Sequence, residues 1–149
     1  MTQNDLDEVY ALEQASYSHP WTFGILRDCL NVGYLGRVLE RADKQIDGYS
    51  IMSSGGGEAH ILNLCVRKDI RGRGMGRRLL LTLLSDAQVL EADTLYLEVR
   101  ESNKVAISLY ESLGFNELGM RPSYYPAKNG REDALIFAKN INPAGGDQV

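Results

Sequence analysis

The stretch from Leu62 to Arg78 combines features that suit the binding of an anion. An apolar segment runs into a loop in which Gly72, Gly74 and Gly76 alternate with larger residues. From Arg67 to Arg78 there are six Lys or Arg residues and one acid, whereas the whole chain has a net charge of −4. Glycines let successive backbone N–H groups turn toward a ligand, and the start of a helix favours negative charge. The sequence therefore predicts an anion-binding loop at the start of a helix.

Other glycine-rich motifs fit this loop poorly. In a dinucleotide-binding GxGxxG fingerprint the third glycine would fall at position 77, which is Arg77, and the turn after Val66 would be tighter and less charged. A P-loop is excluded because no Gly-Lys-Ser/Thr follows the glycines. A surface loop that only caps a helix remains the alternative when the loop is considered alone.

Two residues downstream have side chains suited to proton transfer. Glu98 lies near the carboxyl end of a predicted strand, on the same face as Tyr96 and Arg100. In sheets flanked by helices, ligands gather at the carboxyl ends of strands. Tyr110 lies on the following predicted helix, beside apolar residues such as Leu113. On spacing alone, however, Glu98 is an ordinary polar-face glutamate and Tyr110 a core residue.

These residues must be positioned by ten predicted elements, in the order α α β β β α β α β β. Short turns between the first three strands indicate an antiparallel meander, and the later β-α-β units indicate crossovers. The fold class is therefore α/β, with a mixed sheet flanked by about four helices. Both faces of the third strand are largely apolar, so we expect it to be central and covered on both sides. The predicted helices are 2–17, 22–30, 77–90 and 103–113, and the predicted strands are 34–40, 46–53, 58–66, 94–100, 115–120 and 134–139.

Local signals refine these elements. Thr2, Thr22 and Ser102 are the expected N-caps of the first, second and fourth helices. Gly114 is the expected C-terminal stop of the fourth helix. The segment Tyr124-Tyr125-Pro126 is expected in a loop between the last two strands, which ends in a turn at Lys128-Asn129-Gly130.

Composition narrows the function classes. The 149 residues suit one domain, 1–141, followed by a flexible tail, 142–149. No apolar run is long enough to span a membrane, and the acidic balance argues against nucleic-acid binding. Cys29 and Cys65 lie in apolar surroundings, which favours buried free thiols in a reducing cytoplasm. The two histidines are far apart in sequence, so a metal site has little support. We expect a monomer or weak dimer.

The loop segment Arg71-Gly72-Arg73-Gly74-Met75-Gly76 resembles the Arg/Gln-x-x-Gly-x-Gly/Ala signature of the GNAT family of N-acetyltransferases. Segments 97–103, 109–115, 124–126 and 130–134 resemble the RimI subfamily, the ribosomal-protein-alanine N-acetyltransferases. The resemblance covers residues 5–140 and is strongest from Leu62 to Ala134. GNAT chains usually have a strand before the first helix, and here it is expected to be missing unless the start site is misassigned.

This resemblance implies the GNAT fold and an acetyl-CoA-dependent enzyme. The implied acceptor is the N-terminal alanine of a small-subunit ribosomal protein, acetylated directly in a ternary complex. Glu98 would be the general base, acting through water, and Tyr110 the general acid that protonates the departing coenzyme A sulfur. For Asn103, helix capping is the alternative to a cofactor contact. The implied cofactor-binding residues are Leu64, Cys65 and Val66 through their backbone, Arg71, Gly72, Arg73, Gly74, Met75, Gly76 and Arg77 in the loop, and Asn103.

The acceptor side is less clearly marked. Aromatic residues form a possible wall of a peptide groove, although a tyrosine pair before proline also fits a well-packed loop. Carboxylates such as Glu13 or Glu101 would attract a basic N-terminal segment. Alternative functions are GNAT acetylation of lysine side chains, other N-termini or a small amine, and a non-catalytic acyl-CoA-binding regulator. A nucleotide or RNA binder is disfavoured by the net charge. The candidate aromatic residues are Trp21, Tyr34, Tyr124 and Tyr125.

Overall fold

The computed structural model describes residues 1–141, so the predicted flexible tail, 142–149, lies outside the described residues. The predicted order of helices and strands is confirmed. Two short 3₁₀ turns, Gln3–Asp5 and Lys68–Ile70, precede α1 and α3. The helices are α1 (Leu6–Ser16), α2 (Phe23–Asn31), α3 (Met75–Val89) and α4 (Lys104–Ser112), and the strands are β1 (Leu35–Glu40), β2 (Ile46–Gly55), β3 (Glu58–Val66), β4 (Thr94–Arg100), β5 (Asn116–Ala127) and β6 (Gly130–Asn140).

The six strands form one mixed sheet in the order β1-β2-β3-β4-β6-β5, as predicted for the fold class. β3 and β4 are parallel, whereas β1–β2, β4–β6 and β5–β6 are antiparallel. Within residues 1–141 no strand precedes α1. The backbone contacts divide the described residues into two compact units, one of Met1–Ser53 and Leu62–Ser85, the other of Ser54–Ile61 and residues 86–141.

The core of the first unit joins α1 and α2 to β2 and the end of β3. Helix α2 begins at its predicted cap, where the Thr22 hydroxyl accepts the Ile25 N–H at 3.2 Å. The predicted cap of the first helix is displaced: Thr2 caps the 3₁₀ turn Gln3–Asp5 in a capping box with Asp5, and the N-cap of α1 itself is Asp5. These caps satisfy backbone donors that a helix start leaves without partners. The buried side chains of this core are Leu6, Val9, Leu12, Leu26, Cys29, Ile46, Tyr49, Ile51 and Cys65.

The second unit is built on the alternation along β4. Leu95, Leu97 and Val99 are buried, and the residues between them are half-buried, as the predicted strand requires. Gly114 ends α4 with a φ of +90°, a conformation that favours glycine, as predicted.

The hairpin that closes the chain differs from the prediction. β5 and β6 are longer than expected, so Tyr124, Tyr125 and Pro126 lie in β5 and not in a loop. Pro122 and Ser123 look like strand breakers in the sequence, but the strand absorbs them in an irregularity between Arg121 and Tyr125. Proline is tolerated here because β5 is an edge strand of the sheet.

Two further expectations were wrong. Asn103, not Ser102, is the N-cap of α4, and its side chain accepts the Ala106 N–H at 3.2 Å. On β3, Ala59, Ile61 and Cys65 are buried, but Leu62 on the other face is 40% exposed. Apolar side chains on both faces of a strand therefore do not prove that both faces are covered, because hydrophobicity alone does not identify a covering element.

Candidate active site

The glycine loop has a backbone that larger residues would strain. Gly72 and Gly74 have φ angles of +82° and +79°, and both positions face open space. Helix α3 starts directly after Gly74, and the Arg78 N–H donates to the Gly74 carbonyl at 3.0 Å. Amides that precede this first helical bond have no carbonyl one turn back to bind. The loop therefore presents exposed backbone at a positively polarised helix start, as the sequence predicted for an anion.

The start of the loop is fixed to β2 by Arg67. Its backbone N–H donates to the Asp47 carbonyl at 2.7 Å, and its Nη2 donates to the Ile46 carbonyl at 2.6 Å. The Asp47 carboxylate, which is buried, lies 3.5 Å from Arg67 Nε and 2.8 Å from Arg41 Nε. This network engages the charge of Arg67 and sets the direction in which the chain leaves β3.

The arginines of the loop are not equivalent. Arg71 folds back, and its Nε donates to the Val66 carbonyl at 3.0 Å. Arg73, Arg77 and Arg78 are exposed. Part of the Arg71 side chain therefore supports the loop itself, whereas the exposed arginines lie at the surface where an anion would approach.

Leu64 and Val66 near the end of β3 have side-chain partners on their carbonyl groups. The Tyr17 hydroxyl donates to the Leu64 carbonyl at 2.9 Å, and Arg71 binds the Val66 carbonyl. In an extended strand the N–H and C=O of one residue point to the same side, and this side alternates along the chain. Leu64 and Val66 therefore present their N–H groups on the same edge of β3 as these carbonyls.

Cys65 faces the opposite edge. Its carbonyl lies so close to β2 that a Cβ added to Gly48 would approach it to 2.7 Å. The parallel ladder between β3 and β4 covers Glu58–Ile61 and Thr94–Leu97. Within the described residues, Leu62–Val66 thus have no ladder partner on β4, and an extended ligand can pair with such an edge.

Glu13 does not have the role expected from the sequence. It is 2% exposed, so it cannot attract a basic segment at the surface. Its carboxylate accepts hydrogen bonds from the Tyr49 hydroxyl, from Asn63 Nδ2 at 2.8 Å and from the Trp21 N–H at 2.8 Å. Burial, with smaller contributions from Cys65 and Glu13, raises the pKa of Tyr49. Glu13 therefore fixes the backbone of Trp21.

In the second unit, Glu98 lies on the half-buried face of β4. Its Oε1 is 2.9 Å from the Nε of Arg121 on β5. The Arg121 guanidinium also lies 5.5 Å from the centre of the Tyr124 ring. No local pattern predicts this ion pair, because Arg121 is far from Glu98 along the chain and precedes a segment that was expected to be a loop.

Tyr110 has a protonated hydroxyl at neutral pH. Only 7% of the residue is exposed, and its ring packs 6.0 Å from Phe115 and 6.3 Å from Phe137, measured between ring centres. Burial, with a smaller contribution from Tyr125, raises the pKa of Tyr110 to about 12. The phenol can therefore donate a proton.

Tyr125 lies within electrostatic reach of both candidate catalytic residues. Burial first, then the charges of Glu98 and Tyr124, raise the pKa of Tyr125 to about 12. Its ring meets the Tyr124 ring edge-on at 5.0 Å. Glu98, Tyr110 and the tyrosine pair are thus brought together in one unit.

Arg100 holds Tyr125 in place. Its guanidinium lies 4.6 Å from the centre of the Tyr125 ring. Its Nη1 donates to the Pro126 carbonyl at 2.7 Å and to Glu132 Oε1 at 2.8 Å, and Glu132 Oε2 accepts the Ser102 N–H at 3.3 Å. The hydrogen bond from Arg100 is the main cause that lowers the pKa of Glu132. One ion pair therefore connects the end of β4 to the residue before α4 and to β5, the strand that carries Tyr125.

The two neighbours of Glu132 hold the irregularity in β5. Asp133 Oδ1 accepts the Ser123 N–H at 2.8 Å, and Ser123 has a φ of +53°. Arg131 donates to the carbonyls of Ser123 at 2.6 Å and Tyr124 at 2.8 Å. The segment 130–133, Gly-Arg-Glu-Asp, therefore positions the tyrosine pair. In the sequence alone, this segment indicates only a resemblance to the RimI subfamily.

The four aromatic residues predicted to contact the acceptor belong to both units. Trp21 and Tyr34 belong to the first unit, and Tyr124 and Tyr125 belong to the second. Tyr34 lies just before β1 and is partly exposed. The Asn103 carbonyl oxygen is engaged in capping, the role that the sequence left as the alternative, and its amide nitrogen is not used by that bond.

The part of the chain that the structure describes has neither a candidate metal cluster nor a candidate membrane-spanning helix. Within residues 1–141, no group of three or more His, Cys, Asp or Glu side chains could hold a metal ion. No helix in the same range has both the length and the apolar character that crossing a membrane requires.

Comparisons with known proteins match this architecture. The sequence model described as "Acetyltransferase (GNAT) family" matches residues 6–115. The [ribosomal protein bS18]-alanine N-acetyltransferases of Salmonella typhimurium and Escherichia coli K12 are 38% and 39% identical to the chain, and each alignment covers 93–95% of both proteins. The crystal structure of the ribosomal-protein-S18-alanine N-acetyltransferase from Escherichia coli aligns with a TM-score of 0.89 and covers 95% of this chain and 90% of that one.

The Arg100–Glu132 pair leads to a prediction about pH. A lowered pKa means that Glu132 stabilises the fold above its unfolded-state pKa, and that this contribution is lost as the pH falls through the folded-state pKa. We expect Glu132→Gln to lower the free energy of unfolding at pH 7 by about 1 kcal/mol or less. The difference from the wild type should shrink below about pH 4. Urea unfolding across this pH range measures it.

Glu117→Gln is the matched control, since Glu117 is an exposed carboxylate on the same hairpin. A Glu132→Gln deficit that is equally large at about pH 3 and at pH 7 would contradict an ionic contribution from the pair.

Proposed function

The chain belongs to the GNAT family of acetyltransferases, and we propose that it transfers the acetyl group of acetyl-CoA to the N-terminal alanine of a small-subunit ribosomal protein. The observation that carries this proposal is the identity of 38–39% to [ribosomal protein bS18]-alanine N-acetyltransferases over nearly the full length of both chains. Identity at this level over 93–95% of both chains favours a shared acceptor over the other amines that GNAT enzymes use.

The glycine loop is proposed to bind the pyrophosphate of acetyl-CoA, which supplies the acetyl group as a thioester. The fit is supported by the positive φ angles of Gly72 and Gly74 and by the open space beside them, which lets a phosphate reach the backbone. Backbone N–H groups can bind a phosphate without fixing a flexible side chain, and the candidates are those of Gly72, Gly74, Met75 and Gly76. Exposed arginines, Arg73 and Arg77 among them, add charge-assisted hydrogen bonds.

The unpaired edge of β3 is proposed to hold the pantetheine arm of acetyl-CoA. The N–H groups of Leu64 and Val66 lie on this edge and suit the amide carbonyls of an extended chain. A fixed N–H here also suits the charge that develops on the acetyl oxygen. Cys65 is the weakest of the three candidates, because its backbone faces β2 and its thiol is buried.

Glu98 is proposed as the general base. An N-terminal amine has a pKa near 8, so a modest base removes its proton at neutral pH. Glu98 is half-buried with one carboxylate oxygen in an ion pair, and it lies near Tyr125 on the acceptor side. The carboxylate takes the amine proton directly or through one water molecule.

Tyr110 is proposed as the general acid. Its hydroxyl remains protonated at neutral pH because burial raises its pKa to about 12. It gives this proton to the coenzyme A sulfur as the thioester bond breaks. Asn103, the N-cap of the same helix and about two turns before Tyr110, retains an amide nitrogen that can contact the cofactor.

The acceptor chain is proposed to contact the aromatic residues. Hydrogen bonds to the backbone fix the positions of three of these residues. Arg131 binds the Tyr124 carbonyl next to Tyr125, and the Trp21 N–H donates to Glu13. For Tyr34, partial exposure is the one observation that favours contact with the acceptor. The free cysteines support a cytoplasmic location, and a monomer or weak dimer stays a prediction.

Product analysis tests this function. The protein is incubated with acetyl-CoA and three peptides: one beginning Ala-Arg, one with the alanine replaced by proline, and one with a blocked N-terminus and an internal lysine. We expect acetylation of the first peptide alone, with the added mass on its first residue in fragmentation spectra. Acetylation of the blocked peptide at a similar rate would instead identify a lysine acetyltransferase.

Tyr110→Phe tests the acid. We expect kcat to fall about 100-fold, since general acid catalysis is worth roughly that or more, while the Kd for acetyl-CoA changes less than about twofold. Because the pKa of Tyr110 is about 12, the wild-type kcat should not decline between pH 8 and pH 10. Tyr96→Phe, a half-buried tyrosine on β4, is the control. A Tyr110→Phe enzyme with wild-type kcat would remove this assignment.

A further inference from the structure

We propose that Arg121 is a specificity-determining residue that competes with the cationic N-terminus of the acceptor for the carboxylate of Glu98. This inference rests on the proposed function, in which Glu98 receives the amine. It adds a role for a residue of β5 that neither the glycine loop nor the tyrosine pair explains.

The contact between the two residues is direct. Arg121 Nε lies 2.9 Å from Glu98 Oε1, the distance of a charge-assisted hydrogen bond. The Glu98 side chain is 26% exposed, so an incoming group can reach it. In the absence of an acceptor, one oxygen of the candidate base is therefore already engaged by a cation.

Arg121 is held much less firmly than Arg100. The Arg100 side chain is 30% exposed and is fixed by the Pro126 carbonyl, Glu132 and the Tyr125 ring. The Arg121 side chain is 55% exposed, and within residues 1–141 its recorded contacts are Glu98 and the face of the Tyr124 ring. The first arginine is thus part of the framework, whereas the second can move away from its partner.

The backbone around Arg121 is consistent with this mobility. Arg121 pairs with Ala134 as the last residue before the irregularity in β5, and the regular register resumes at Tyr125. β5 is an edge strand, so a side chain there can leave its partner for solvent without breaking the sheet. Displacement of Arg121 therefore requires rotation about side-chain bonds only.

The chemistry of the acceptor makes the competition specific. An α-amine with a pKa near 8 arrives mostly as an ammonium ion at pH 7, so it seeks the same carboxylate oxygen as the guanidinium. An exposed ion pair contributes little stability, so competition from Arg121 raises the KM for the acceptor by only a few-fold. Arg121 thereby disfavours weakly basic or uncharged groups at Glu98, which compete with it less well than acceptors that arrive as cations.

Steady-state kinetics with the Ala-Arg peptide tests the proposal. We expect Arg121→Gln to lower the KM for the peptide by about two- to fivefold, because the competitor for Glu98 is gone, and to leave the Kd for acetyl-CoA unchanged. Arg121→Lys keeps a cation at this position and should stay close to the wild-type KM. Arg121→Met provides a second neutral variant that cannot hydrogen-bond to Glu98.

Lys128→Gln is the matched charge control, since Lys128 is an exposed cation in the turn of the same hairpin. It should change the KM by less than about 1.5-fold, because it removes the same charge without a contact to Glu98. An unchanged or raised KM in both neutral variants would overturn the proposal, as would an equal decrease in Lys128→Gln. A wild-type enzyme that acetylates none of the peptides would instead overturn the proposed function.

Discussion

The arrangement of the second unit depends on the ion pair between Arg100 and Glu132. Arg100 is the last residue of β4, two positions after Glu98, and Glu132 also binds the Ser102 N–H just before α4, the helix that carries Tyr110. The same guanidinium holds the Pro126 carbonyl and lies over Tyr125. One charge-assisted contact therefore connects the strand of the proposed base, the helix of the proposed acid and the strand that carries Tyr124 and Tyr125. Such connected polar groups fix geometry as well as adding stability.

A comparable constraint operates in the first unit. Asp47 is buried between Arg41 and Arg67, and the latter begins the segment that leads to the glycine loop. Within the loop, Gly72 and Gly74 face open space, and both have positive φ angles that favour glycine. The Arg67–Asp47 contact holds the start of the loop, and the backbone at Gly72 and Gly74 stays accessible to a ligand. Binding then needs little reordering of the chain.

Much of the fold could be predicted because the local signals agree with the tertiary structure. The alternation along β4, the cap at Thr22 and the stop at Gly114 each depend on neighbours in sequence, and each was found. The length of β5 could not be predicted, because Arg131 and Asp133 on the partner strand stabilise the irregularity at Ser123.

The site was less predictable for the same physical reason. Arg121 lies beside Glu98 only after β5 and β4 both pair with β6. Glu13 was taken for a surface charge, although its spacing from Leu6 and Val9 puts it on the apolar face of α1. That spacing was a signal for a buried carboxylate with partners, and it was available in the sequence.

The central claim is that Glu98 removes the proton of the acceptor amine. Glu98→Gln tests it most directly, because the amide keeps the size of the side chain and an oxygen for Arg121 but cannot act as a base. Single-turnover transfer to the Ala-Arg peptide, followed by mass spectrometry with saturating acetyl-CoA, measures the step itself. We predict a rate at least 100-fold below the wild type with unchanged acetyl-CoA affinity. A single-turnover rate equal to that of the wild type would contradict the claim.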